Sequence, residues 1–124
     1  MSGIRTLLLA LAGLAPGEAA AQDPLHLIFA GCIGRYSAAI EHSWVVGEDP
    51  GSFPADRLTF ISLYEATVPD GAARAALHHR VASKMAQASL LTVARFHNDP
   101  TRAAAAGDAA RAQIGACSRM LLES

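Results

Sequence analysis

The stretch LIFAGCIGRYSAAIEHSWVV, residues 27–46, carries apolar side chains at Phe29, Cys32/Ile33, Tyr36, Ala39/Ile40 and Trp44. Steps of three and four residues put these side chains along one side of an α-helix. The segment therefore reads as a core-facing helix, with Tyr36 and Trp44 in the core and Arg35 and Glu41 paired on the surface. On that reading Trp44→Ala costs about 3 to 5 kcal/mol, and Arg35→Ala or Glu41→Ala less than about 1 kcal/mol. Gly31 and Gly34 weaken the first turns, because glycine costs about 1 kcal/mol relative to alanine inside a helix, and they let the regular helix begin later. GEDPG at 47–51 stops it: Gly47 suits a left-handed C-terminal cap and Pro50 cannot continue the helix.

Three more helices follow. Ser52 and Pro54 mark the next start, with Asp56 in the first turn, and Leu58, Ile61 and Tyr64 recur at helical spacing up to about residue 67. RLTFISLY, residues 57–64, is also rich in β-branched and aromatic side chains and fits a strand. A lone strand in a helical chain has nothing to pair with, so residues 58–64 read as helix. VPDG at 68–71 is a turn with Asp70 as candidate N-cap. The third helix spans 72–97, with Arg80, Lys84, Gln87, Arg95 and Asn98 on one side and Ala82, Met85, Ser89, Val93 and Phe96 on the apolar other. NDPT at 98–101 then supplies an Asp N-cap and a proline at the first helical position. The last helix has the stripe Ala103, Ala106, Ala110, Ile114, Cys117 and Leu121, with Asp108, Arg111 and Ser118 off it. Short connections make the expected fold all-α: a small antiparallel four-helix bundle, up-down-up-down.

That topology brings together the two cysteines of the chain. Cys32 lies near the start of the first helix and Cys117 near the end of the fourth, so both sit at one end of the bundle and face its core. There is no C-x-x-C for thiol exchange, no C-x-x-C-H for haem and no Cys/His set for structural zinc. A single Cys32–Cys117 disulfide is expected. Closing a loop of about 85 residues stabilises by roughly 4 to 5 kcal/mol in the chain-entropy model.

A disulfide needs an oxidising compartment, and the N-terminus supplies the route. Residues 1–21 read as a signal peptide: Arg5, the apolar run TLLLALAGLA, a break at Pro16 and Gly17, and AAA at 19–21 before a mature start at Gln22. Residues 22–124 are then one helical domain. The apolar run is too short to span a membrane, which takes about 20 residues. FAGC at 29–32 resembles a lipobox, but Glu18, Asp23 and Pro24 separate it from the apolar run and a helical pattern follows it. The expected location is periplasmic or secreted, without a lipid anchor.

Net charge is −1 over 124 residues, and the basic residues are scattered singly, which argues against nucleic acid as a partner. G-x-S-x-G, P-loop and H-E-x-x-H motifs are all missing. The histidines, His26, His42, His78, His79 and His97, give no i, i+4 pair on one helix, and only His78 shares the azimuth of Met85, Ser89 and Phe96. GRYSAAIEHSW at 34–44 is the densest polar-aromatic stretch, and Arg, Tyr and Trp are the residues that carry binding energy. Arg35, Tyr36, Glu41, His42 and Trp44 are therefore the candidate recognition patch. The chain reads as a small exported binding module without a cofactor, its partner an envelope protein or small ligand. The alternative is a periplasmic metal- or cofactor-binding bundle using His with Met85 or Met120. Catalysis ranks behind both.

Overall fold

A computed structural model describes residues 23–123; the expected signal segment and the start at Gln22 lie outside the described residues. Four helices follow one another: α1 (Leu25–Val46), α2 (Phe53–Thr67), α3 (Ala73–Phe96) and α4 (Pro100–Glu123). The described residues contain no strand, and residues 58–64 are helical within α2. Gly47 ends α1 with φ 73°, its N–H turned back to the carbonyls of Ser43 and Trp44. Asp99 caps α4 by accepting the Thr101 N–H on Oδ1 at 3.0 Å, with Pro100 as the first helical residue. Asp70 caps nothing: the N-cap of α3 is Ala72, which follows Gly71 at φ 81° in a turn closed by Ala72 N–H to Pro69 O, 3.0 to 3.1 Å being ordinary for such a bond.

The helices alternate in direction, and α1 is the hub. α2 packs antiparallel on it: Tyr36 stacks on Phe60 at 5.7 Å between ring centroids and Phe29 packs tilted against the same ring at 6.0 Å, while Trp44 lies beside Pro54. α3 runs parallel to α1 and touches it along most of its length, while α4 packs mainly on α3 and meets α1 at one end. First and third helices of an up-down-up-down bundle are diagonal partners, normally held apart by side chains. Here they approach because α1 offers Ala30, Gly31, Gly34 and Ala38, all buried. A Cβ on Gly34 would stand 2.2 Å from the Arg80 carbonyl oxygen. So Gly31 and Gly34 do not delay α1, which is regular from Leu25. They are where α3 crosses.

Large side chains gather at the other side of α1. Phe29, Cys32, Ile33, Tyr36, Phe60 and Cys117 form the core cluster, with Phe53, Ile61, Leu63, Tyr64, Ile114, Met120 and Leu121 packed against it. Cys32 and Cys117 are bonded, their Cα atoms 5.8 Å apart. The α4 stripe is placed as its spacing predicts, with Ala106, Ala110 and Cys117 buried.

Three expectations about burial are overturned as well. Trp44 is not in the core: it is 68% exposed, and Ser43 is buried in its place. At 100° per residue Ser43 lies about 20° from the azimuth of Tyr36, and Trp44 about 80° away. In α2 the buried residue is Phe60, and Leu58, on the opposite side, is exposed. In α3 the expected polar side holds near the C-terminus, where Arg95 and Asn98 are exposed, but not at Gln87, which is 2% exposed, whereas Met85 and Phe96 are 67% and 61% exposed. The seam with α1 takes short side chains such as Ala76 and Ser83, and Leu77, Val81, Met85 and Phe96 of α3 are turned outward.

Candidate functional site

Because α1 is covered on several sides, the five residues of the expected patch point in different directions. Tyr36 is fully buried, its ring between Phe53 and Phe60 and its hydroxyl 3.0 Å from Ser118 Oγ. Burial pushes that hydroxyl above the usual tyrosine range; the Ser118 hydrogen bond lowers it by less, and the nearby Asp56 charge adds to the rise. Arg35 runs toward α4, its Nη1 3.4 Å from the Gln113 carbonyl and 3.5 Å from Cys117 Sγ. Partial burial disfavours its charge and lowers its pKa from the ordinary arginine value. Glu41 does not pair with Arg35. It pairs with Lys84 of α3 at 2.8 Å, both side chains exposed. His42 turns toward the bundle interior, where it lines a cleft.

Glu41 shares a groove between α1 and α3 with His42, and it meets Trp44 and Ser37 in a groove of about 360 Å³ between α1 and α2. The other wall is Pro54, Arg57 and Leu58. Arg57 donates from Nε to Ser37 Oγ at 2.7 Å, which anchors the guanidinium across the helix pair. Among the described residues it has no carboxylate within ion-pair distance, whereas Glu41 is matched by Lys84. The groove thus combines an exposed indole, an exposed leucine and a positive charge with no carboxylate partner. The α1 half of this wall is readable from the i, i+4, i+7 spacing of Ser37, Glu41 and Trp44. The α2 half has no such signal, because residues 54, 57 and 58 reach the groove only through the helix pairing.

A second cleft, about 390 Å³ and lined mainly by apolar groups, opens between α1, α3 and α4 toward the end away from the disulfide. Its walls are Ala39 and His42 of α1, Phe53, Leu91 of α3, and Ala110 and Ile114 of α4. It exists because this half of α4 turns Ala106, Gly107 and Ala110 inward, too small to fill the space between α1 and α3. Gln87 is the most buried of the lining side chains; its Nε2 donates to the Ala110 carbonyl at 3.0 Å and its Oε1 has no hydrogen-bond partner. A buried acceptor left unpaired costs about 1 to 3 kcal/mol. Sequence spacing had set Gln87 on the polar side of α3, so nothing in the pattern revealed it.

The histidines do not converge. His78 is exposed and His79 is the one at the helix seam, its Nε2 3.2 Å from where a Cβ on Gly31 would stand. His97 accepts the Asp99 N–H on Nδ1 at 3.0 Å, in the turn before α4. No group of three or more His, Cys, Asp or Glu able to hold a metal ion occurs among the described residues. Met85 lies on the outer face of α3, and Met120 packs against the core cluster. The Cys32 sulfur is bonded to Cys117. No helix among the described residues is long and apolar enough to cross a membrane. Comparison with protein-family models, curated proteins and solved structures gives no match.

Proposed function

We propose that this chain is an exported, disulfide-stapled helical module of the bacterial envelope that works by binding a partner protein in the α1/α2 groove. One observation carries the reading: Trp44, the only tryptophan of the chain, is exposed beside Pro54, Arg57 and Leu58. A surface indole contributes little to folding, yet it is among the side chains that dominate binding energy at interfaces. Arg57 without a carboxylate sets the chemistry of the partner: a segment presenting an apolar side chain next to an Asp or Glu. Export is supported by the apolar run that ends in AAA at 19–21 and by a disulfide suited to an oxidising compartment.

Selection of a random peptide display library on the oxidised protein tests the binding site. Enriched peptides should pair an aromatic or aliphatic residue with a neighbouring acid. They should shift the Trp44 fluorescence to the blue, and lose binding at least tenfold to Arg57→Glu. Enriched peptides that leave Trp44 fluorescence unchanged would place the binding surface elsewhere. Export is tested separately by the intact mass of protein recovered from the periplasm: a chain starting at Gln22, without acyl mass, is the expected product.

A further inference from the structure

We infer that the outward face of α3 is a dimerisation surface whose partner is a second copy of this chain, laid antiparallel across a two-fold axis. The face adjoins the α1/α2 groove at Glu41, and its role does not depend on a protein binding in that groove.

The side of a surface helix turned away from its packing partners is ordinarily polar. α3 departs from this: Leu77, Val81, Met85 and Phe96 are exposed, with Thr92 exposed and Ala88 half-buried among them. At 3.6 residues per turn these six lie within about 100° of one another, in a stripe about 30 Å long. The stripe also has an internal symmetry. A two-fold axis set between Ala86 and Gln87 brings Leu77 of one copy opposite Phe96 of the other, Val81 opposite Thr92, and Met85 opposite Ala88. The first half of the stripe supplies projecting side chains. The second half supplies a recess, because Ala88, Thr92 and Phe96 line a groove with Ala38 and Val45 of α1. Each copy offers both halves, which is what an isologous interface requires.

The charges set the direction. α3 carries Arg74, Arg80, Lys84 and Arg95 and no acidic residue, so two copies laid parallel would place like charge on like charge. In the antiparallel arrangement Arg74, one turn before Leu77, lies level with Asp99, in the turn after Phe96 of the other copy. Neither has an ion pair within its own chain among the described residues. The same axis brings His78 opposite Arg95, whose charge Glu48 already matches at 3.8 Å. A basic, apolar helix face also suits an anionic lipid surface, but a lipid surface calls for neither the mirrored order of knobs and recess nor an acid at one end. A standard interface has about 20–30 residues a side, more than this face offers. The dimer is therefore reversible and concentration-dependent.

Sedimentation velocity of the oxidised mature protein over a concentration series tests the proposal, with NMR at the highest concentration. A monomer–dimer equilibrium is the expected result. Leu77 and Phe96 stand about 30 Å apart along one helix, so a nuclear Overhauser contact between the Leu77 methyls and the Phe96 ring can arise only between copies. That contact should be present. Met85→Glu should raise the dimer dissociation constant at least tenfold, because it sets a carboxylate against Ala88 of the other copy. Met85 is exposed in the single chain, so the variant should keep its helical content. Leu122→Glu, at an exposed leucine in the last turn of α4, should leave the equilibrium unchanged. A monomer at every concentration up to the millimolar range would overturn the proposal. So would a dimer that survives Met85→Glu, that is weakened equally by Leu122→Glu, or that lacks the Leu77–Phe96 contact. A monomer that binds phosphatidylglycerol vesicles through α3 would overturn it in favour of a lipid surface.

Discussion

At Tyr36 a fully buried hydroxyl depends on one side-chain neighbour, and the direction of that hydrogen bond can be worked out. Ser118 Oγ lies 3.1 Å from the Ile114 carbonyl and 3.0 Å from Tyr36 Oη. A serine has one proton, and a carbonyl can only accept, so Ser118 donates to Ile114 and Tyr36 donates to Ser118. Ionising Tyr36 would bury an anion, which raises its pKa, while the Ser118 hydroxyl, able to turn its proton toward a phenolate, works the other way by less. The native state thus holds the Tyr36 proton more tightly than the unfolded chain does. This contribution to stability is complete below about pH 10, the ordinary tyrosine value, and is lost as pH rises through the raised native value. Tyr36→Phe should cost about 0.5 to 1.5 kcal/mol at neutral pH. Denaturant midpoints measured upward from neutral pH should then fall less steeply in the variant than in the wild type. Trp44→Ala, by contrast, should change stability by less than about 1 kcal/mol, since the truncated ring is 68% exposed. A loss of several kcal/mol in urea denaturation would mean the ring is buried. Tyr36 was legible as core because an i, i+4, i+7 stripe runs through it. Trp44 and Gln87 were not legible: hydrophobicity ranks one inward and the other outward, and neither rank registers which neighbour occupies the space.

Element by element, two caps were legible and a third, Asp70, was misplaced, since the N-cap of α3 is Ala72. Gly47 in the left-handed region and Asp99 ahead of Pro100 act locally, so three or four residues suffice to predict them. The α1–α3 seam was legible only as a weakness, because glycines in a helix signal lost propensity before they signal contact. Its energetic content is a prediction about Gly34. A methyl group there would fall 2.2 Å from Arg80 O and 2.9 Å from Lys84 N, both backbone atoms of α3 that cannot rotate away. Although Ala favours helix over Gly by about 1 kcal/mol, Gly34→Ala should destabilise the protein by about 3 kcal/mol or more, because two helices must separate. Gly107→Ala is the control. Its Cβ meets nothing closer than 3.5 Å, so the propensity gain should appear there as unchanged or slightly raised stability. Urea denaturation of the two variants checks the pair, and equal effects would mean that the seam is looser than its geometry indicates.

At the scale of the molecule, the bundle is unevenly filled. Aromatic rings and the disulfide occupy one end, while the Ala-rich half of α4 leaves a hollow at the other. The disulfide and the all-α topology were legible together, because two cysteines and four connected helices admit one simple arrangement. The hollow was not, since small side chains permit close packing and open space alike. α4 rests mainly on α3, and its attachment to α1 is concentrated where Cys117 bonds Cys32 and where Arg35 and Tyr36 reach Gln113 and Ser118. Breaking the bond should therefore loosen one element before it unfolds the whole. Cys32→Ser and Cys117→Ser should each lower stability by an amount approaching the roughly 4 to 5 kcal/mol expected for a loop of this length. The double variant should be no worse than either single one, because both remove the same bond. Near-native helical content should persist in the folded fraction. Hydrogen exchange should speed up most in the last turns of α4, around residues 113–122, and least where Phe29 and Tyr36 pack on Phe60. Additive losses from the two single variants would show that each cysteine acts through its own packing. Exchange that rises evenly over all four helices would show that α4 is held to the bundle by more than its disulfide end.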